Sequence, residues 1–201
     1  MVPDAHGRKP CLAAAAMVLQ EAQAQLEHMA IREILLLGNP LLSQPCGPVQ
    51  QPGLSAATAV GNDLRDTLMD FRAEHGWGRA IAAPQIGVLK RIVYLRVERP
   101  WLLINPAMAG MSKKMMVLWD DCMSFPDLLV RVKRHTGFTL TCLDEHWVEH
   151  SLAVEGVLAE LLQHEIDHLG GVLAVSRAVD GASFALRSQR QLLAGAVSAN
   201  G

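Results

Sequence analysis

The chain has 201 residues, enough for one domain with a substantial core, and its composition of 50% hydrophobic and 19% charged residues excludes a disordered chain. A net charge of −2 gives no basic surplus for binding DNA, and no apolar run reaches the roughly 18–20 residues of a membrane span. Four cysteines without a Cys-x-x-Cys pair do not form a disulfide framework, so the reducing cytoplasm is the expected compartment.

The first 30 residues predict an extension that precedes the main domain. Residues 12–29 are rich in Ala, Leu, Gln and Glu, which favour a helix. Arg8 and Lys9 before a short apolar run weakly imitate a signal peptide, but a surface or interface helix is the preferred interpretation. We therefore expect a helical extension over residues 1–30 and a single domain over residues 31–201.

The domain is predicted to have helices near its ends and strands in its middle. Leu64, Leu68 and Phe71 recur at helical spacing, which predicts a helix over residues 56–75. Runs rich in apolar and β-branched residues predict four strands, at residues 91–97, 102–105, 130–132 and 138–143.

Two further helices are predicted towards the carboxyl end of the chain. Residues 157–169 are strongly apolar and end before a glycine pair, while residues 184–193 suit a short closing helix. The order of the elements indicates an α+β fold.

The strongest motif is His164-Glu165-Ile166-Asp167-His168, within the predicted helix at residues 157–169. Residues four apart share one helix face, so His164 and His168 can hold one metal ion, with Glu165 beside it to transfer protons. The alternative is a surface helix with two solvated histidines. Apolar neighbours argue against it, because two buried and unpaired histidines would be costly. We expect small antiparallel or mixed sheets packed around this central helix.

A metal site needs a further protein ligand, and the residues after His168 do not supply one. They contain no His, Glu or Cys, and their one acid is Asp180. This excludes the common metalloprotease arrangements and places the third ligand upstream. Cys122, in a polar turn between strand-like segments, is the best candidate; the alternative is a buried apolar thiol, which is the interpretation given to Cys142.

A third motif runs from Gly78 to Gly87 and contains small residues that let a ligand approach the backbone. Its Gln85 offers a side-chain amide beside a turn fixed by proline. The alternative is that this amide only bonds the backbone of its own turn.

Taken in order, the three motifs resemble those of the peptide deformylase family. That family carries a Gly-x-Gly-φ-Ala-Ala-x-Gln loop, a Glu-Gly-Cys-Leu-Ser turn and His-Glu-x-x-His. The corresponding segments here are residues 78–85, 120–124 and 164–168. The resemblance extends over about residues 31–175.

The resemblance implies a hydrolase that releases formate from N-formylmethionyl peptides. The implied ligands of one divalent ion per chain are Cys122, His164 and His168, with Fe²⁺ expected in cells and Zn²⁺, Ni²⁺ or Co²⁺ as alternatives. Glu165 would transfer the proton, while the Gln85 side chain and the Met123 backbone N–H would stabilise the oxyanion.

The resemblance also implies how substrate binds. The N-formyl peptide would add as a strand along Gly78, Ala80, Ile81 and Asp121. The ribosome exit region is an expected partner, and neither DNA nor a membrane is.

This chain departs from the family pattern at residues 80, 120 and 121, of which 80 and 121 would face the substrate. Ala80 replaces a glycine, and Asp120-Asp121 replace Glu-Gly, with Arg134 as the expected partner of Asp120. Two alternatives therefore stay open. One is a related amidohydrolase for a different formamide or small amide, and the other is a non-catalytic metal-bearing binding protein.

Overall fold

A computed structural model gives the fold, and the structure describes residues 30–193. The predicted helix at residues 12–29 lies outside the described residues. The division into an extension over 1–30 and a domain over 31–201 therefore stays a prediction.

The described residues form two α-helices and eight strands. The helices are α1 (Leu54–His75) and α2 (Gly156–Leu169). The strands are β1 (Ala80–Ala82), β2 (Ile92–Arg96), β3 (Pro100–Ala109), β4 (Met115–Asp121), β5 (Leu128–His135), β6 (Gly137–Leu143), β7 (Glu149–Glu155) and β8 (Phe184–Leu186).

The strands form two separate antiparallel sheets. One has five strands in the order β1-β2-β3-β6-β7, and the other has three in the order β4-β5-β8. Neighbours along the chain mostly pair directly, as expected for antiparallel strands joined by short connections. The predicted α+β class is confirmed.

Helix α2 is buried along most of its length. Every residue from 159 to 169 is buried, and Leu162, Ile166 and Leu169 pack against the five-stranded sheet, where they meet Val93 and Leu140. A helix that is apolar on several faces is stable only when surrounded by protein. This burial places the histidine motif inside the molecule rather than on its surface.

Helix α1 packs against the opposite face of the five-stranded sheet. Leu64, Leu68 and Phe71, the periodic residues of the sequence, pack in a second core with Ile81 and Ile92. The helix ends at Gly76, whose left-handed conformation lets its N–H bond the Arg72 carbonyl.

Several details of the secondary structure differ from the sequence-based prediction. Residues 184–193 were expected to form a helix but contain β8 and a 3-10 segment (Arg187–Leu192), because β8 pairs with the edge of β5. Strands β4 and β7 were not predicted, since their charged and methionine residues mask the strand pattern. Within residues 30–193, no helix is long and apolar enough to cross a membrane.

Candidate metal centre

Three segments that are distant in the sequence converge at one buried place. Cys122 follows directly after β4, and His164 and His168 project from α2. Gln85 lies in the 3-10 turn (Ala83–Ile86) that follows β1. The site therefore joins both sheets to α2.

The three predicted ligands face one another. The Nε2 atoms of His164 and His168 lie 3.2 Å apart, and the Cys122 Sγ lies 3.3 Å from His168 Nε2. All three ligand atoms lie within 4.8 Å of one another. One thiol and two imidazoles in this arrangement fit a catalytic metal site that keeps a fourth position for water or substrate.

A network of charged side chains contacts the Nδ1 side of the His164 ring. Its Nδ1 lies 3.1 Å from Asp120 Oδ2, which also accepts a 2.6 Å bond from Arg134 Nη2. Arg134 in turn donates to Asp167. A carboxylate that accepts from Nδ1 leaves the Nε2 lone pair for a metal ion and fixes the ring orientation. The expected pairing of Asp120 with Arg134 is confirmed.

The same network sets the electrostatics of the ligands. Burial opposes a charged His164, but the negative charges of Asp120 and Cys122 raise its pKa well above the usual value. Burial and the neighbouring His164 lower the pKa of His168 well below the usual value. The negative charge of Asp120, which favours a cationic ring, would likewise favour a metal cation held by the two neutral imidazoles.

Glu165 lies beside the three ligands and faces the same cavity. It is buried, and burial raises its pKa to about 7. In the described part of the chain its Oε2 has no hydrogen-bond partner. A carboxyl poised near neutrality can both accept and deliver a proton.

The Gln85 amide is held in one orientation. Its Oε1 accepts from the Ala82 N–H at 2.9 Å, which leaves Nε2 to donate to Ser124 Oγ at 3.2 Å and to face Cys122 Sγ at 3.6 Å. The two interpretations of Gln85 from the sequence therefore combine, because one end bonds the backbone and the other points into the site.

A small pocket opens next to the ligands, and most of the predicted substrate-facing residues line it. Gly78, Ala80, Asp121 and Met123 are among them, but Ile81 is not, since its side chain is fully buried against α1. Gly78 has a φ of +117°, and a Cβ there would lie 3.3 Å from Leu68 Cδ1, so the glycine of the motif is required.

Comparison with known proteins places this fold and site in a family. A sequence model described as polypeptide deformylase matches residues 31–183. The chain belongs to the polypeptide deformylase family. This confirms the predicted resemblance and the assignment to a deformylase-type metallo-hydrolase.

Individual deformylases match most of the chain. The peptide deformylase of Leptospira biflexa is 34% identical over 163 residues, which cover 74% of this chain and 88% of the relative. Peptide deformylase 1 of Prochlorococcus marinus is 36% identical, with coverages of 78% and 85%. The structure of a peptide deformylase from Synechococcus elongatus in complex with actinonin superposes with a TM-score of 0.68 at 28% identity, and covers 76% of this chain and 81% of that one.

Within this deformylase, the residue that departs most from the motif has a specific partner. The Asp121 carboxylate receives a 2.9 Å bond from Arg187 Nη2, and the Arg187 guanidinium stacks 3.6 Å from the centre of the Trp77 ring. Burial raises the pKa of Asp121, while Arg187 opposes that rise. Arg187 could not be predicted as this partner from the sequence, because 66 residues separate it from Asp121.

A second pair near the deformylase site was also missed. Arg79 Nη2 lies 3.1 Å from Glu160 Oε2, and both side chains are buried. Two features of the sequence could have indicated that these residues lie near the site. Arg79 lies inside the Gly78–Gln85 motif, and Glu160 precedes His164 by one helical turn.

Proposed function

We propose that this protein is a metal-dependent deformylase that hydrolyses the N-formyl group of peptides, N-formylmethionyl peptides among them, and releases formate. The observation that carries the proposal is the convergence of Cys122, His164 and His168 within 4.8 Å, with Gln85 and Glu165 facing the same cavity. A metal site alone would not require either of these two polar side chains.

We assign the ion to Cys122, His164 and His168, with Fe²⁺ as the ion in cells and Zn²⁺, Ni²⁺ or Co²⁺ as alternatives. The donor set of one thiolate and two imidazoles supports this choice, because thiolate and imidazole together suit these borderline metals better than Mg²⁺ or Ca²⁺. When bound, such an ion supplies Lewis-acid chemistry and lowers the pKa of a coordinated water.

Proton transfer and stabilisation of the oxyanion are assigned to residues of the chain. Glu165 accepts the proton of the attacking water and delivers it to the departing amine, a role supported by its pKa of about 7. Gln85 Nε2 and the Met123 backbone N–H donate to the oxygen that becomes negative in the transition state. Because Ser124 and the Ala82 N–H hold the Gln85 amide, this donor is oriented before the substrate arrives.

The peptide backbone is assigned to the stretch formed by Gly78, Ala80 and Ile81 on one side and by Asp121 on the other. Ala80 and Ile81 lie in β1, which forms an outer strand of the five-stranded sheet and pairs with β2. An outer strand of a sheet can accept an extended peptide as an additional strand. Ile81 takes part through its backbone, since its side chain is in the core.

A deformylase-like amidohydrolase for another formamide is the second candidate. The Ala80 methyl group leaves less space for a substrate beside the backbone of β1. The Asp121–Arg187 pair adds bulk where the family motif has a glycine. The two candidates share every step at the metal and differ in the group attached to the formyl nitrogen.

The cellular setting follows from the proposed activity. Removal of formyl groups from new proteins takes place in the cytoplasm near the ribosome exit region, which we therefore propose as location and partner. The three cysteines among residues 30–193 are free thiols, as a reducing compartment would leave them. A helical extension over residues 1–30 stays a proposal for this protein.

Formate release tests the proposed activity directly. The full chain is loaded anaerobically with Fe²⁺, and separately with Ni²⁺ or Zn²⁺, and given a set of formyl dipeptides that includes formyl-Met-Ala. We expect formate release that falls at least about 10²-fold in Glu165→Gln, with metal content unchanged. The absence of formate from every dipeptide with one metal bound per chain would refute the proposal.

A further inference from the structure

The cavity beside the metal ligands has an unusually charged wall. Besides the ligands and Glu165, it is lined by Arg79, Asp121 and Glu160, while Leu161 and Trp77 are among its few large apolar side chains. Pockets that bind apolar side chains are mostly lined by apolar and aromatic groups. This cavity therefore differs in chemistry from a site for an apolar group.

The Arg79–Glu160 pair lines the same pocket as His164 and Glu165. Glu160 precedes His164 by one turn of α2, so the two side chains share a helix face. Arg79 comes directly before β1, the strand assigned to the peptide backbone. A substrate whose formyl group is at His164 and Glu165 consequently places its first side chain against this ion pair.

Burial makes the pair sensitive to what contacts it. The side chains of Arg79 and Glu160 are 9% and 4% exposed, and their nearest N and O atoms lie 3.1 Å apart. An apolar side chain packed against them removes the remaining water and returns no hydrogen bond, which is unfavourable. A side chain that both donates and accepts can replace that water, because a guanidinium has five donors and a carboxylate about four acceptor positions.

We infer that this deformylase selects substrates whose first residue carries a neutral hydrogen-bonding side chain, such as a carboxamide, over those with methionine, and that Arg79 and Glu160 determine this preference. The inference rests on the proposed deformylase function and names its substrate class. A carboxamide is the best match, since its N–H₂ faces Glu160 while its oxygen faces Arg79.

Competition between two substrates tests the inference on the native protein. Metal-loaded full-length chain receives formyl-Gln-Ala and formyl-Met-Ala, and kcat/KM is measured for each. We expect formyl-Gln-Ala to be preferred by at least about tenfold, a difference typical of one satisfied against one unsatisfied buried polar contact. Equal rates, or a preference for formyl-Met-Ala, would overturn the inference.

A paired variant assigns the preference to these residues. Arg79→Leu combined with Glu160→Leu removes both charges together, which buried pairs tolerate better than the loss of one partner. We expect the ratio of the two kcat/KM values to move at least about tenfold towards formyl-Met-Ala. The control, Arg32→Leu with Asp63→Leu, removes a pair that does not line the cavity and should leave the ratio unchanged. An unchanged ratio in a folded, metal-loaded Arg79/Glu160 variant would remove these residues from the explanation.

Product binding separates this inference from the proposed activity. The deformylated peptides Gln-Ala-Ser and Met-Ala-Ser are titrated into the metal-loaded protein by calorimetry, a readout that needs no turnover and no variant. Tighter binding of Gln-Ala-Ser, by about tenfold, supports the inference even if no formyl peptide is hydrolysed. Tighter binding of Met-Ala-Ser overturns it even if deformylation is fast.

Discussion

At the residue scale, Asp120 links the metal ligands to the charged interior. Its carboxylate contacts His164 Nδ1 and accepts two hydrogen bonds from Arg134. This one buried side chain therefore orients the His164 ring and neutralises the charge of Arg134. These neighbours hold the pKa of Asp120 well below its usual range although burial opposes this. The carboxylate therefore stays ionised and can accept from a His164 Nδ1–H, an arrangement that would leave Nε2 for a metal ion.

Asp120→Asn is predicted to weaken metal binding without removing a ligand. The amide is a poorer acceptor for His164 Nδ1–H, and such outer partners typically contribute 10–100-fold in metal affinity. We expect a loss in about that range, measured by competition with a chromogenic chelator. Asp180→Asn is the control, because Asp180 pairs with Arg131 at the surface. An Asp120→Asn affinity equal to that of the unaltered protein would contradict the role given to Asp120.

At the scale of secondary-structure elements, one short segment reaches the site and another ends α2. Strand β8 pairs with β5, and Arg187 follows it at once, so this pairing brings the guanidinium to Asp121. At the other side, α2 ends at Leu169, and the following Gly170-Gly171 turn packs the chain against residues 43–44. In each segment one residue makes the important contact, Arg187 in the first and Gly171 in the second, and its replacement should lower stability.

Arg187→Met is predicted to destabilise the fold through Asp121. The buried Asp121 carboxylate loses this charged partner, and we expect the free energy of unfolding to fall by about 1–3 kcal/mol in urea denaturation. Adding Asp121→Asn should recover part of the loss, because a neutral amide is cheaper to bury. Arg131→Met, which breaks a largely exposed pair, should cost less than about 1 kcal/mol. Equal losses in the two arginine variants would count against this account.

Gly171→Ala is predicted to loosen the end of α2. Gly171 has a φ of +72°, and a Cβ there would lie 2.6 Å from the Ser43 carbonyl oxygen. Backbone strain and this contact should together cost about 1–3 kcal/mol, measured by thermal unfolding. Gly181→Ala is the matched control, since no atom lies within 4 Å of its Cβ position and its φ is not positive. A Gly171→Ala protein as stable as the control would show that the turn shifts without cost.

At the scale of the whole molecule, a metal ion would add a further link between elements that the network of Asp120, Arg134 and Asp167 already joins. Cys122 belongs to the turn after β4 in the three-stranded sheet, while both histidines belong to α2, which packs on the five-stranded sheet. Coordination by all three fixes the relative position of these parts. Binding that exists only in the folded state adds its free energy to stability.

Metal removal is predicted to lower the melting temperature of the protein. At a metal concentration about 1,000 times the Kd, binding contributes about 4 kcal/mol, which corresponds to roughly 8–16 °C for a chain of this size. Scanning calorimetry with and without chelator measures the shift. Cys122→Ser should show a much smaller difference between the two conditions. A chelator-independent melting temperature in the unaltered protein would mean that the ion does not couple these elements.

The sequence by itself determined the family, the α+β class and the three segments that supply the candidate site. It could do so because those features depend on local spacing: His164 and His168 share a helix face, and Leu64 and Leu68 mark the buried side of α1. Strands β4 and β7 were beyond local reasoning, since their pairing, not their composition, makes them strands.

The tertiary structure alone decided the surroundings of the site. The bond from Arg187 to Asp121 and the pair of Arg79 with Glu160 join residues 66 and 81 positions apart, so the place of each residue in its own segment could not identify its partner. Packing decides which side chains of different elements come into contact. A buried charge requires a partner, and that partner can come from any part of the chain. The sequence thus sufficed to predict a ligand set and a class of chemistry, whereas the charged character of the pocket beside those residues required the fold.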